Sequence, residues 1–288
     1  LMRGEQAEED ARFVQAFANR LGLETHIAEA DVPGLAKAHN ISLEEAGRRA
    51  RYDFLEKLAR ECKAAAIAMG HTSSDQVETI LLNFLRGSGA EGLAGMPVSR
   101  RLDSGITIIR PLIEISKQEA EAYCRENRIE WRLDATNLEL FARRNRLRHK
   151  LLPALKEEQP ALEKLLLRQA DIFAEESAFL QALAEEAQEV ATLSREQTCR
   201  VLSIEYLQIL PTALARRVVR ESLRAIREER LSPELGQVDR VLELALAGET
   251  GKRLDLGEGL TAAKEYDKLT LQRLPTPIEA CLLYTSDA

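Results

Sequence analysis

Apolar positions along this chain follow a helical period over most of its length and switch to short β-type runs at a few places. Residues 5–21 put Phe13, Val14, Phe17 and Leu21 on one side of a helix, with Gly22 placed to stop it. Leu23 to Ala28 reads as a strand. Ser42 and Glu45 form a capping box for a helix to about Cys62, whose stripe is Leu43, Ala46, Ala50, Phe54, Leu58 and Cys62. Ala64 to Met69 reads as a short buried strand, although Ala is a poor strand former. The next helix carries the stripe Val77, Ile80, Leu81, Phe84 and Leu85, and runs into a loop with Gly87, Gly89, Gly92 and Gly95. Ile106 to Ile109 is a β-branched strand. Ser116 with Glu119 caps a helix to about Asn127, and Leu147, Leu151 and Leu155 mark a helix across residues 141–155. Alternating helix and strand predict an α/β fold, a parallel sheet joined by crossover helices. From Pro160 the composition shifts to Leu, Ala, Glu and Gln. Residues 161–190 read as one long helix or two, and residues 211–227 and 232–247 as two more. A β-like end follows, with Leu254 to Leu256, a turn at Gly257 to Gly259, and Leu269 to Leu271. The expected division is an α/β domain over 1–155, a mainly helical domain over 156–274, and an unassigned tail over 275–288.

Candidate chemistry gathers where the strand at Ala64 to Met69 ends. Gly70 and His71 break the apolar run, and Ser73, Ser74 and Asp75 supply N-cap chemistry, with Asp75 and Glu78 as a variant capping box. At about 100° per residue, Asp75, Glu78, Thr79 and Arg86 gather opposite the apolar stripe. Ligands of open α/β sheets bind at the C-terminal ends of the strands. An acidic residue at a helix start is also an ordinary cap or dipole partner, so spacing alone leaves both readings open. Further on, Arg143, Arg144, Arg146, Arg148 and Lys150 crowd one short stretch. Such a run is either a solvated helix face or, if the helix is pinned to a core, a set of forks for phosphate oxygens.

The literal string from Gly70 to Met96, GH-x3-DQ-x-ET-x6-RGSG-x2-GL-x-GM, closely resembles the signature of the tRNA(Ile)-lysidine synthetases, which are PP-loop ATP pyrophosphatases. Arg48, Arg51 and Tyr52 match that family's R-x-x-R-Y. Asp134 to Asn137 resembles its D-x-[ST]-N turn, and Arg144 to Pro153 its RN-x-[IL]-R-x-x-LLP. The stretch GKRLDLGEGLTAAKEYDKLTL resembles the end of its helical substrate-binding domain. The resemblance implies ATP-dependent ligation of lysine to the wobble cytidine of isoleucine tRNA. ATP adenylates the base, and the lysine amine then displaces AMP, with magnesium on the phosphates. By resemblance Asp75 and Glu78 hold the ammonium groups of L-lysine, and Arg144 and Arg86 serve as donors to phosphate or to a developing anion. Gly70, His71, Arg86 and Gly87 belong to the nucleotide pocket. Arg143, Asn145, Arg146 and Arg148 contact tRNA or nucleotide, and no side chain is assigned to a metal. Two departures stand out. The family's Ser-Gly-Gly-x-Asp-Ser phosphate loop does not occur in these residues, and Ser74 stands where the family usually has a second aspartate. The chain therefore reads as an N-terminally shortened member, inactive alone. Another PP-loop tRNA-modifying or amidating enzyme, and a non-enzymatic RNA-binding scaffold, remain the alternatives.

Composition adds limits. With 45% hydrophobic residues over 288 positions a sizeable core can form. A formal charge of −7 argues against nonspecific nucleic-acid binding by the whole surface, but not against a local basic patch. Cys62, Cys124, Cys199 and Cys281 form no CxxC pair, which fits reduced thiols rather than a disulfide framework or a zinc site. No apolar run reaches the length of a membrane span. The expectation is a cytoplasmic protein without membrane contact, with a homodimer left open.

Overall fold

The computed structural model describes residues 4–102, 104–132, 143–227, 233–257 and 259–274. The expected turn at Asp134 to Asn137 and the tail over 275–288 lie outside these residues. Two compact units, Leu1–Ala174 and Glu175–Ala288, divide within a single long helix.

The first unit opens with α1, Gly4–Arg20, which stops at Gly22 in the left-handed region (φ 68°) as its sequence predicts. Its apolar side is only partly covered, with Val14 and Leu21 both more than half exposed. Leu23 to Ala28 is not a strand. Among the described residues no strand lies beside it, and an extended segment without a ladder leaves its backbone groups to water. A short helix the periodicity does not reveal, α2 (Val32–His39), follows. Asp31 caps it by accepting from the Gly34 N–H at 3.1 Å, and Asn40 ends it at φ 50°. Helix α3, Leu43–Glu61, starts at Ser42, whose hydroxyl accepts from the Glu45 N–H. The predicted stripe is buried at Ala46 and half-buried at Ala50, Phe54 and Leu58, but the buried face is wider than the stripe and leaves its two ends outside. Ala59 sits in the core with Tyr52 and Leu55 packed against it, while Leu43 and Cys62 are exposed.

Strand β1 (Ala66–Ala68) pairs in parallel with β3 (Thr107–Ile109), and β2 (Ser99–Arg101) pairs antiparallel with β3 on its other side. The sheet is therefore mixed, in the order β1-β3-β2, with the predicted parallel pair at one side. Ile67 and Ile108, directly opposed, anchor the core beneath it. Between β1 and β2 lie α4 (Ser73–Leu85) and α5 (Ala90–Leu93). After β3 comes α6, Lys117–Glu126, with the predicted Ser116–Glu119 capping box complete. A basic stretch then forms α7 (Arg143–Arg146), a π turn (Leu147–Leu151) and α8 (Leu152–Glu158). Leu147 and Leu152 pack with Val77, Leu81 and Leu82 of α4 into a second core. Helix α9, Leu162–Ala191, is one uninterrupted helix of 30 residues.

The second unit is richer in strand than its sequence suggests. It holds a five-stranded antiparallel sheet in the order β4-β5-β8-β7-β6. The strands are β4 (Thr192–Arg195), β5 (Cys199–Ser203), β6 (Arg253–Gly257), β7 (Leu260–Glu265) and β8 (Lys268–Arg273). Helices α10 (Ile204–Ile209), α11 (Thr212–Ile226) and α12 (Leu235–Ala247) cover it. Alternation decides which face they meet: Leu260 and Ala262 of β7 and Leu269 and Leu271 of β8 are buried together with Val218, Leu223 and Val241 from the helices.

Candidate functional site

Helix α4 is launched by its own first turn. Thr72, not Ser73 to Asp75, is the N-cap, and Asp75 stands at the third helical position. The two form a reciprocal capping box: Asp75 Oδ2 accepts from the Thr72 N–H at 3.0 Å and from its hydroxyl at 2.9 Å. The Ser73 N–H donates to Ile115 O, and the Met69 N–H to Ile109 O, both at 2.9 Å. Residues 69–73 and 109–115 are thereby laced together just beyond the C-terminal ends of β1 and β3. The buried face of α4 includes Val77, Ile80 and Leu81, as its period predicts, but Phe84 is 65% exposed and Leu85 also lies outside. Gln76 extends the buried face instead. It donates to Met96 O and accepts from the Met96 N–H, which clasps the glycine loop to the helix. Gly95, at φ 71°, is required there, since a Cβ would stand 2.7 Å from the Gln76 Oε1.

On the other side of the first turns the site assembles. Glu78, only 2% exposed, receives two guanidinium groups. Arg144 Nε donates to its Oε2 at 2.7 Å, Arg148 Nη2 to the same oxygen at 2.9 Å, and Arg148 Nε to its Oε1. Arg144 Nη2 also donates to Asp75 Oδ1 at 3.2 Å, and Arg148 lies 3.9 Å from that oxygen. A carboxylate that deep needs such partners, because an unpaired buried charge costs several kcal/mol. Donating to Glu78, more than the Glu78 charge itself, raises the pKa of Arg148. Thr79, expected to face the ligand, turns its hydroxyl onto Asp75 O of its own helix.

The two arginines come together because Arg144 and Arg148 are four residues apart and the helix carrying them is pinned by a π turn. The Leu152 N–H donates to Leu147 O, five residues back. Pro153 supplies the reason. It has no N–H for the carbonyl of residue 149, and its ring crowds that carbonyl, so the turn widens. The widened turn exposes Leu151 and buries Leu152 in its place, which corrects the predicted repeat of Leu147, Leu151 and Leu155.

His71 and Arg110 complete the strand ends. Burial first, then the Arg110 charge, lower the pKa of His71; Arg144 and Arg51 act the same way, and Asp75 opposes them. Gly70 has no heavy atom within 4 Å of where a Cβ would stand, so the end of β1 is open to close approach. Arg86 and Gly87 are not brought to this cluster. They end α4, and Arg86 is eleven residues from Asp75, about 16 Å along the helix axis. Asn145 is half-buried beside Arg144, Arg146 is exposed, and the side chain of Arg143 lies outside the described residues. Arg48 stacks on Tyr52 at 5.6 Å. Sequence reasoning assigned the carboxylates and the arginines to different ligands and missed that they bind one another. It also missed Arg110, whose signal was a lone cation closing an apolar β-run. Among the described residues no His, Cys, Asp and Glu grouping could hold a metal ion, and Cys62, Cys124 and Cys199 are unpaired. No described helix is long and apolar enough to cross a membrane.

A strand-end cluster of this kind, on a β-α-β crossover with a glycine loop, fits a nucleotide-handling α/β protein, and comparison with known proteins says which kind. The family profile described as "PP-loop domain" matches residues 2–155, and that described as "TilS substrate binding domain" matches residues 202–270. The chain belongs to the PP-loop family. More narrowly, it is similar to curated tRNA(Ile)-lysidine synthases. It is 35% identical to that of Bacillus licheniformis over 278 residues, which is 95% of this chain and 58% of the relative. It is 39% identical to that of Symbiobacterium thermophilum over 279 residues, 94% of this chain and 57% of the relative. The chain thus spans somewhat more than half the length of the relatives it matches.

Proposed function

We propose that this chain carries the lysine-transfer part of a tRNA(Ile)-lysidine synthase, joining L-lysine to the wobble cytidine of isoleucine tRNA through an ATP-derived adenylate. The observation that carries the reading is the Asp75–Glu78–Arg144–Arg148 cluster, formed by the very residues of the GH-x3-DQ-x-ET and RN-x-[IL]-R strings, at the open ends of a parallel strand pair. The nucleotide fits there by donor chemistry: Gly70 leaves room, and Arg144, Arg148 and His71 present donors to phosphate. Bound ATP supplies the adenylyl group that makes the base oxygen a leaving group. Magnesium would travel with the phosphates, because the carboxylates here are already neutralised by arginine. Arg86 and Gly87 at the far end of α4 are assigned to the rim of the site, and Arg143, Asn145 and Arg146 to the tRNA backbone. A tRNA substrate and unpaired thiols both fit the cytoplasm.

The two carboxylates divide the work. Asp75, its side chain 25% exposed, is the accessible one, and its Oδ1 takes an ammonium group of lysine, exchanging one arginine contact for it. Glu78, sealed beneath, holds the two guanidinium groups in place while sharing its charge with that ammonium. In the protein supplied with a phosphate loop, Asp75→Asn leaves Thr72 as the N-cap and keeps one amide oxygen to accept from the Thr72 N–H, and it loses a charge-assisted hydrogen bond of about 1.5–3 kcal/mol. Lysine-dependent turnover is expected to fall roughly ten- to hundredfold, with adenylated tRNA formed without lysine reduced far less. Glu78→Gln releases both arginines and is expected to impair both steps. Equal loss of both steps in Asp75→Asn would remove lysine from this site.

A further inference from the structure

Helix α3 carries a string that the proposed function leaves unused, Arg48, Arg51 and Tyr52. The other cations of this helix are paired one turn away: Arg49 with Glu45 at 3.6 Å, Lys57 with Glu61 at 4.0 Å and Arg60 with Glu56 at 3.4 Å. Arg48 and Arg51 are exposed and form no ion pair among the described residues, although Glu44 stands one turn before Arg48. The Arg48 guanidinium instead lies over the Tyr52 ring, 5.6 Å from its centroid. Held by its face in this way, a guanidinium keeps its N–H edge for an oxyanion. The helix also brings both arginines to the ligand end of the first sheet. After α3 the chain doubles back, with the Ala64 N–H donating to Ala59 O and Lys63 in the left-handed region (φ 54°). Ala59 then packs with Ile67 of β1, so helix and strand run antiparallel. Leu55 and Tyr52, toward the start of the helix, and Met69, at the end of the strand, pack against the same core. Arg48 continues the face of Tyr52, Leu55 and Ala59 at helical spacing, one turn past that core. Along the helix axis Arg51 lies about 12 Å and Arg48 about 16 Å before Ala59, and Gly70 lies about 10 Å past Ile67 along the strand. Both side chains therefore stand at and just beyond the strand end, and the Arg51 charge helps to lower the pKa of His71 there.

We propose that Arg48 and Arg51 form a docking site for the phosphodiester backbone of an RNA strand that passes over the open end of β1, with Tyr52 as the positioning residue of Arg48. Charge complementarity selects the partner. Arg144 and Arg148 already hold Glu78 and Asp75, so an anion arriving there competes with carboxylates. Arg48 and Arg51 have no carboxylate to give up, and a phosphate bound to them only releases counterions. Their exposure suits a polymer lying across the rim of a site, where phosphate contacts fix the register of the strand while a base is read deeper in. That the RNA is isoleucine tRNA rests on the function proposed above; the backbone contact does not.

The test is the salt dependence of RNA binding by the 288-residue chain, followed by fluorescence anisotropy with isoleucine tRNA and with a tRNA of unrelated anticodon. Arg48→Gln and Arg51→Gln should each weaken binding of both RNAs and each reduce the log–log salt slope by roughly 0.7–0.9. Lys57→Gln removes the same charge from an exposed position nearer the other end of α3 and should leave the slope unchanged. Tyr52→Leu keeps the Arg48 charge and removes its support. Binding should then weaken about two- to fivefold with the slope kept, while Tyr52→Phe should bind as the unaltered chain does. The proposal is overturned if the unaltered chain binds neither RNA, or if Lys57→Gln flattens the slope as much as the arginine variants do. It is overturned too if the arginine variants lose ATP binding while RNA binding stays. Equal binding of the two tRNAs, with the arginine dependence intact, keeps the backbone site and counts against the function proposed above. A preference for isoleucine tRNA without arginine dependence does the reverse. Should Tyr52→Leu lose its amide dispersion, the two arginine variants and Tyr52→Phe decide.

Discussion

Glu78 and His71 show how burial turns ordinary side chains into committed ones. Glu78 at a helix surface would be a solvated carboxylate, but at 2% exposure it is bound to two arginines and its position dictates theirs. His71 is the converse, a base kept from its charge. Its folded pKa lies below the ordinary 6.5, so above 6.5 both folded and unfolded states are neutral and the residue makes no pH-dependent contribution. As pH falls below 6.5 the unfolded chain takes up a proton that the folded chain refuses, and stability declines until the pH passes the lowered folded value. Thermal unfolding followed across this window should therefore show the unaltered chain losing stability relative to His71→Gln on acidification. Parallel curves for the two proteins would mean that His71 is not held neutral. Neither fact was legible as such. The sequence shows that Glu78 and His71 flank a strand end, but whether a carboxylate there meets a lysine, a cap or an arginine depends on residues 66 and 70 positions away.

At the scale of elements, the helices and their starts were readable because their causes are local. Ser42, Ser116 and Gly22 act within one turn of themselves, and each does what its chemistry predicts. Faces were less readable, because which apolar residues go inside depends on what the helix meets. Phe84 and Leu85 continue the stripe of α4 and still lie outside, while the polar Gln76 goes in to clasp Met96. The strands β4 and β5 were missed because Thr192 to Arg195 and Cys199 to Ser203 are short and only partly buried, and in β4 the half-buried positions are the polar Thr192 and Ser194 while Leu193 is exposed. The register change at the π turn was missed for a different reason: the four-residue repeat of Leu147, Leu151 and Leu155 assumes an unbroken helix, and Pro153 within it signals a disturbance without saying that the preceding turn widens. That turn makes a sharp prediction. Leu152→Ala should cost about 2–5 kcal/mol, the range for a buried leucine, whereas Leu151→Ala should cost under about 1 kcal/mol. Chemical denaturation of the two variants distinguishes the arrangements, and a larger loss at Leu151 would restore the uninterrupted helix.

For the whole molecule, the division of labour follows from composition. The overall charge of −7 falls almost wholly on the second unit, and in the first the cations that matter are concentrated by α7 and the π turn onto α4. The first unit thus has a local positive rim on an acidic protein, where attraction reaches only about 8–10 Å at ordinary salt. The second unit presents a sheet covered by three helices and matches a substrate-binding profile. What the 288 residues do not contain is a Ser-Gly-Gly-x-Asp-Ser string, the backbone cradle that anchors ATP phosphates in the resembled family. The central proposal is that the Asp75–Glu78–Arg144–Arg148 face transfers lysine and acts together with a phosphate-binding segment. The most direct measurement is incorporation of radiolabelled lysine into isoleucine tRNA by this chain with and without a relative's phosphate-loop segment joined before Leu1. ATP-dependent incorporation only with the segment, abolished by reversing Arg144 to Glu, is the predicted result. Steady incorporation by the 288-residue chain alone, or none by a folded joined protein, would contradict it.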